Sequence, residues 1–127
     1  MIGFETILRS ADNTDIRYSK CIGLLGNSKK KKGFLGEVIR TSIFKRWHVK
    51  SLIKSKLYLS VIIAVVKKIK RKNGLFISFS ENRVLTLTEQ LKFLGTNVKG
   101  PVCKELRTTK KKRQLFKKII SYAGALI

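Results

Sequence analysis

The stretch LYLSVIIAVVKKIKRKNGLFISF, residues 57–79, decides how the chain folds. Its first ten residues are apolar except for Ser60, and Val61 to Val66 is apolar on both faces of an extended chain. Such a run is about half of what crosses a bilayer, so it reads as a buried strand and not as a membrane span. Six residues rich in lysine follow, and then Asn73-Gly74, a pair that tolerates the positive φ angles hairpin turns require. Past the turn, Leu75, Ile77 and Phe79 alternate with Phe76, Ser78 and Ser80, which leaves one face wholly apolar. The segment 57–79 therefore reads as a β-hairpin with a basic tip. Its second strand, 75–79, is expected to line a core.

Working outward, the same texture continues. Short β-branched and aromatic runs alternate with basic clusters, there is a single proline, Pro101, and no internal repeat is visible. This is the pattern of an all-β barrel or sandwich, with candidate strands at 2–9, 19–25, 37–44, 57–68, 75–79 and 83–87. The last third differs. Thr88-Glu89-Gln90-Leu91 resembles a helix start, but Gly95 allows no more than one or two turns. Beyond Lys104, residues Leu115, Ile119 and Tyr122 or Ala123 recur at helical spacing, with Phe116 and Ile120 beside them. One or two short helices are expected there, packing this stripe back on the barrel. The division is a β-barrel over 1–88 and a loop and short-helix appendage over 89–127.

Charge bounds the function. The 127 residues carry 29 Lys plus Arg against 7 Asp plus Glu, a net charge of +22, while 43% are hydrophobic. So apolar a chain is not a disordered basic tail, and a folded core carrying this much self-repulsion implies a polyanionic partner. Four clusters hold most of the charge: Lys29, Lys30, Lys31 and Lys32; Lys67, Lys68, Lys70, Arg71 and Lys72; Lys110, Lys111, Lys112 and Arg113, followed by Lys117 and Lys118; and a looser set with Lys45, Arg46, Lys50, Lys54 and Lys56. Lysine neutralises phosphate without a fixed geometry, whereas arginine fits phosphates and base edges bidentately. The lysine excess therefore favours backbone and shape recognition of folded RNA. Affinity is expected to fall on the order of a thousandfold or more between low and moderate salt.

Nothing in the sequence argues for catalysis or a cofactor. Cys21 and Cys103 are isolated thiols without CxxC spacing, and His48 is near neither in sequence, so a zinc site has no support. Asp12-Asn13-Thr14-Asp15 lacks the glycine and terminal glutamate of a calcium loop and reads as a polar turn. Trp47-His48 is either a stacking platform or a loop anchor. No phosphate-binding glycine loop, dinucleotide fingerprint or HExxH motif occurs, and Glu37, Glu81 and Glu105 stand singly. The first residues, with Glu5 early and neither an apolar signal core nor an Arg/Ser-rich stretch, do not read as a targeting peptide, so the product is expected to act where it is made.

The order of motifs is also recognisable. Ala11-Asp12-Asn13-Thr14, Cys21-Ile22, Leu24-Leu25-Gly26, the lysine run and Gly36-Glu37-Val38-Ile39 come first. SVIIAVVKKIKRKNGLFISFSENRVLTL (60–87), Gly95-Thr96, GPVCKELR (100–107) and LFKKIISYA (115–123) follow. Together they resemble the universal large ribosomal subunit protein 14 family over essentially the whole chain. Ser60 stands where the family has Gly or Ala, Asp15 replaces a glycine, Leu85-Thr86 replaces two aliphatics, and 45–56 lacks the usual Gly-rich turn and Gly-Asp pair.

The resemblance implies a five-stranded antiparallel β-barrel with a projecting β-hairpin and a short C-terminal helical part. It implies a structural constituent of the large subunit that binds large-subunit rRNA, neighbours large-subunit proteins 3 and 19, approaches small-subunit rRNA in an intersubunit bridge and presents a surface to a ribosomal silencing factor. Carried onto this sequence, the RNA contacts are Lys29 to Lys32 in the loop after the second strand, Lys70 to Lys72 at the hairpin tip, and Lys99 and Arg107 flanking GPV. The drift toward Lys, Ile and Phe resembles organelle-encoded copies from AT-rich genomes, which makes a mitochondrial ribosome the expected setting, with plastid and bacterial cytoplasm as alternatives. The rival readings are weaker. A free-standing basic nucleic-acid-binding barrel needs outward aromatics on one strand face, and Phe76 is the only clear one on its strand. A membrane-active cationic protein needs a long basic amphipathic helix, approached only by 114–123.

Overall fold

A computed structural model describes residues 2–25, 32–46, 57–108 and 113–127. The strands are β1 (Ile7–Ser10), β2 (Ile16–Leu24), β3 (Val38–Arg46), β4 (Leu57–Ala64), β5 (Ile69–Lys70), β6 (Phe76–Ile77), β7 (Arg83–Leu87), β8 (Pro101–Val102) and β9 (Ala125–Leu126). A 3-10 helix spans Lys104–Thr108, and an α-helix, α1, spans Arg113–Tyr122.

Five strands close a barrel in the order β1-β2-β3-β4-β7. Neighbours are antiparallel except at the seam, where β1 and β7 pair in parallel through Arg9↔Arg83 and Ser10↔Val84. The expected five-stranded antiparallel barrel is therefore found, and because an odd number of alternating strands cannot close without one parallel pair, that pair falls at the β1–β7 seam. β7 has the expected bounds, while the first candidate strand shortens to β1, with Ile2 making only an isolated bridge to Gly33.

The hairpin expected over 57–79 is present in a shorter form, and its bounds are corrected. β4 pairs with β3 on one side and β7 on the other, through Val38↔Val61 and Ile62↔Val84, so no edge remains for 75–79. Between β4 and β7 the chain leaves the barrel as a separate two-stranded ribbon, with Ile69↔Ile77 and Lys70↔Phe76 in register. Residues 75–79 do not line the core: Leu75 is 64% and Phe76 62% exposed. Alternation reports which side chains share a face; it does not report whether that face meets a core.

The two-faced apolarity of β4 has a direct cause. Tyr58, Ser60 and Ile62 point to one side and Leu59, Val61 and Ile63 to the other. Ile62 packs with Leu8, Cys21, Ile39 and Val84 inside the barrel. Val61 and Ile63 pack with Leu85 and Leu87 beneath Val98, Val102, Leu106, Phe116 and Ile119. The C-terminal third thus covers the outer face of β4 and β7, and both faces are buried.

In α1 the inward residues are Phe116 and Ile119, both buried, with Ala123 against the same cluster. Tyr122 is half exposed and meets Phe93 edge-on at 6.2 Å. Of the two alternatives for the last position of the stripe, the packing selects Ala123. β8 and β9 pair in parallel and tie the chain's end to the GPV segment. Residues 88–91 form no helix but a turn in which the Leu91 amide donates to the Thr88 carbonyl at 2.9 Å.

Candidate nucleic-acid interface

The β5–β6 ribbon is built around its tip. The Arg71 amide donates to the Leu75 carbonyl at 2.8 Å, the Gly74 amide to the Arg71 carbonyl at 3.1 Å, and the Leu75 amide to Asn73 Oδ1 at 3.1 Å. Gly74 takes φ +82°, the left-handed geometry the Asn-Gly pair supplies cheaply. Lys67, Lys68, Lys70 and Lys72 are exposed along this ribbon. Arg71 is not directed outward with them. Its Nε and Nη2 donate to Glu105 Oε1 and Oε2 at 2.6 and 3.3 Å, and Nη2 also donates to the Ile127 carbonyl at 2.6 Å. Burial alone would raise the Glu105 carboxyl, but hydrogen bonds from Arg71 and Cys103 outweigh it and hold the group below its usual range.

A second cationic surface lies where β1, β7 and the GPV segment meet. A cleft of about 240 Å³ there is lined by Arg9, Arg17, Arg83 and Lys99, together with Asp12 and Glu81. Arg83 anchors it from below. This nearly buried side chain donates from Nη1 to the Lys99 carbonyl at 2.7 Å and from Nη2 to the Pro101 carbonyl, and it lies 5.9 Å from the Phe79 ring. Burial pulls its guanidinium below the usual value, with Glu81 opposing and Arg9 reinforcing the shift. Gly100 has φ +79°, and a Cβ there would collide with Arg83 Nη1. The guanidinium thus fixes the loop that carries Lys99.

The polar turn at 12–15 fixes the neighbouring loop. Buried Asp12 accepts from Ser10 Oγ at 2.7 Å and Thr14 Oγ1 at 2.6 Å through Oδ1, and from the Thr86 amide at 3.0 Å through Oδ2. Asn13 Oδ1 accepts from the Thr96 and Asn97 amides at 2.7 and 3.2 Å. These bonds join the distant pairs Asp12-Asn13 and Gly95-Thr96: the turn and the 95–97 loop are one structure.

Of the residues expected to meet RNA, Lys32 and Lys45 are exposed and Arg46 is half-buried near the barrel rim; Lys67, Lys68, Lys70 and Lys72 lie on the ribbon, and Lys99 is exposed beside the cleft. Lys117 and Lys118 are exposed on α1. Lys29, Lys30, Lys31, Lys50, Lys110, Lys111 and Lys112 lie outside the described residues, as do Lys54, Lys56 and Trp47-His48. Arg107 falls in the 3-10 helix and Arg113 at the start of α1, and only their backbone is described. Arg9, Arg17 and Arg83 are not singled out by the sequence. Each stands alone in or beside a strand, without the run of cations that marks the other clusters.

Among the described residues no alternative chemistry is assembled. Cys21 and Cys103 are free and buried, and burial pushes both thiols up, away from the nucleophilic thiolate. Among the described residues no three His, Cys, Asp or Glu side chains group to hold a metal ion, and no helix is long and apolar enough to cross a membrane.

A small closed barrel with a cationic ribbon and a helical cover defines the class: a compact, strongly basic scaffold. The family model for ribosomal protein L14p/L23e matches residues 1–127, and the chain belongs to that family. It is a structural protein of the large ribosomal subunit and not an enzyme.

Proposed function

We propose that the chain binds large-subunit rRNA by phosphate neutralisation and surface shape, and that it contributes to a bridge with small-subunit rRNA. The observation that carries this reading is how the acids are used. Of the seven acidic residues, Asp12, Glu37, Glu81 and Glu105 are engaged within the protein, by the turn at 12–15, the Phe34 amide, Arg9 and Arg71 respectively. The exposed lysines of the ribbon and of α1 therefore face outward with little acid nearby, as a phosphate-binding surface requires. Lys32, Lys45 and Lys99 add to the exposed cations, and the lysine runs at 29–31 and 110–112 are proposed as RNA contacts from the sequence alone. Large-subunit proteins 3 and 19 and a ribosomal silencing factor are the protein partners on this reading, and a mitochondrial ribosome is its setting.

The test is binding of the full chain to large-subunit rRNA as a function of salt. Changing Lys67, Lys68, Lys70 and Lys72 to Ala is expected to reduce the slope of log affinity against log salt by about 3, near 0.7–0.9 for each phosphate no longer neutralised. An unchanged slope removes the ribbon from the interface. Arg71 is left intact in this variant, because its loss would also undo the bond to Glu105.

A further inference from the structure

We propose that Phe76 is a stacking platform for an unpaired RNA base, with Lys70 on the same ribbon face holding the adjoining phosphate. The proposal rests on the rRNA-binding reading above and adds to it an interaction that phosphate neutralisation does not supply. Three observations converge. Phe76 is 62% exposed and Leu75 beside it 64%, an apolar tip on an otherwise cationic ribbon. Phe76 pairs directly with Lys70, so the two side chains emerge on one face as cross-strand neighbours. Other phenylalanines are already matched with cations inside the protein: Phe44 lies 6.0 Å from Lys45 Nζ, and Phe79 lies 5.9 Å from the Arg83 guanidinium carbon. Among the described residues Phe76 has no such partner.

The backbone that carries the ring is also held in place. A two-pair ribbon is marginal alone, but this one is fixed at the tip by its turn bonds, at its base by the Phe79 amide donating to the Val65 carbonyl at 3.1 Å, and at its side by Arg71 on Glu105. Holding that backbone in place reduces the entropy lost on binding. The chemistry favours RNA over a protein groove, since residues 66–80 contain five basic residues and no acid. Phosphate alone gives an aromatic ring no role, whereas every base offers a π-face to stack on.

The test measures the affinity of the full chain for a 12-nucleotide oligouridylate and for an abasic oligomer of the same length and phosphate count, by fluorescence anisotropy. Wild type is expected to prefer the base-bearing oligomer about fivefold or more, the lower range for one stacked base. Phe76→Ala is expected to abolish that preference while leaving abasic affinity unchanged, Phe76→Trp to retain it, and Lys70→Ala to weaken both oligomers alike. A preference that survives Phe76→Ala overturns the proposal and leaves the exposed ring to a protein neighbour. An equal loss on both oligomers in Phe76→Ala overturns it too. Wild type that binds neither oligomer overturns the proposal, and wild type that also fails to bind large-subunit rRNA contradicts the RNA-binding reading itself, a distinct outcome.

Discussion

Arg71 and Glu105, 34 positions apart in sequence, form a two-pronged ion pair that joins the ribbon tip to the 3-10 helix of the C-terminal cover. Both side chains are half-buried, 19% and 27% exposed, so the pair does more than decorate a surface. It orients the ribbon relative to the barrel, and with it the direction in which Lys67, Lys68, Lys70 and Lys72 point.

The ion pair has a defined pH dependence. Glu105 is held below its usual range in the folded protein, so its contribution is fully present above the unfolded carboxyl value and is lost as pH falls through the depressed folded value. The Arg71 Nε–H chemical shift in NMR is therefore expected to hold steady at neutral pH and to move as acidification protonates Glu105, below the usual carboxylate range. In Glu105→Gln it is expected to show no such transition.

Among the described residues, the barrel interior contains one polar mismatch. Thr41 Oγ1 and Ser60 Oγ share a hydrogen bond at 2.8 Å, which gives the buried serine on β4 a partner. Thr86 Oγ1, opposite Ser60, is buried without a partner. Thr86→Val keeps the shape and the amide bond to Asp12 while removing that orphan hydroxyl. It is expected to raise stability by about 1–2 kcal/mol in denaturant unfolding of the isolated chain.

The cover depends on two side chains of α1. Phe116→Ala, at a site 2% exposed, is expected to cost about 3–5 kcal/mol. Because Phe116 and Ile119 pack on the outer face of β4 and β7, limited proteolysis is expected to cleave first in the C-terminal third. Tyr122→Ala, half exposed, is expected to cost far less in the same assay.

Gly100 faces two constraints. Alanine there must adopt φ near +79° and place its Cβ against the Arg83 guanidinium, so Gly100→Ala is expected to destabilise by about 1–3 kcal/mol. A double-mutant cycle with Arg83→Met is expected to show non-additivity, because removing the guanidinium relieves the collision but not the backbone strain.

What the sequence makes legible follows physical range. The β4 run, the Asn73-Gly74 turn and the α1 stripe are local patterns, and each is found where the pattern lies. Pairing partners are not local. The 57–79 stretch reads as one long hairpin because nothing in it records that β7 arrives later to take the edge of β4. Among the cations, runs of lysine are conspicuous, whereas Arg83 acts through carbonyls 16 and 18 positions away, a relation invisible before the chain folds. Arg71 groups with its lysine neighbours by sequence, and only the fold sets it apart through Glu105.

The central claim is that the protein works as an rRNA-embedded part of the large subunit. Its most direct test is sedimentation of a tagged chain from cell or organelle extract at low, physiological and high salt. Co-sedimentation with large-subunit particles at low and physiological salt, with release as salt rises, is the predicted result. A chain that runs free of large-subunit particles even at low salt contradicts the account.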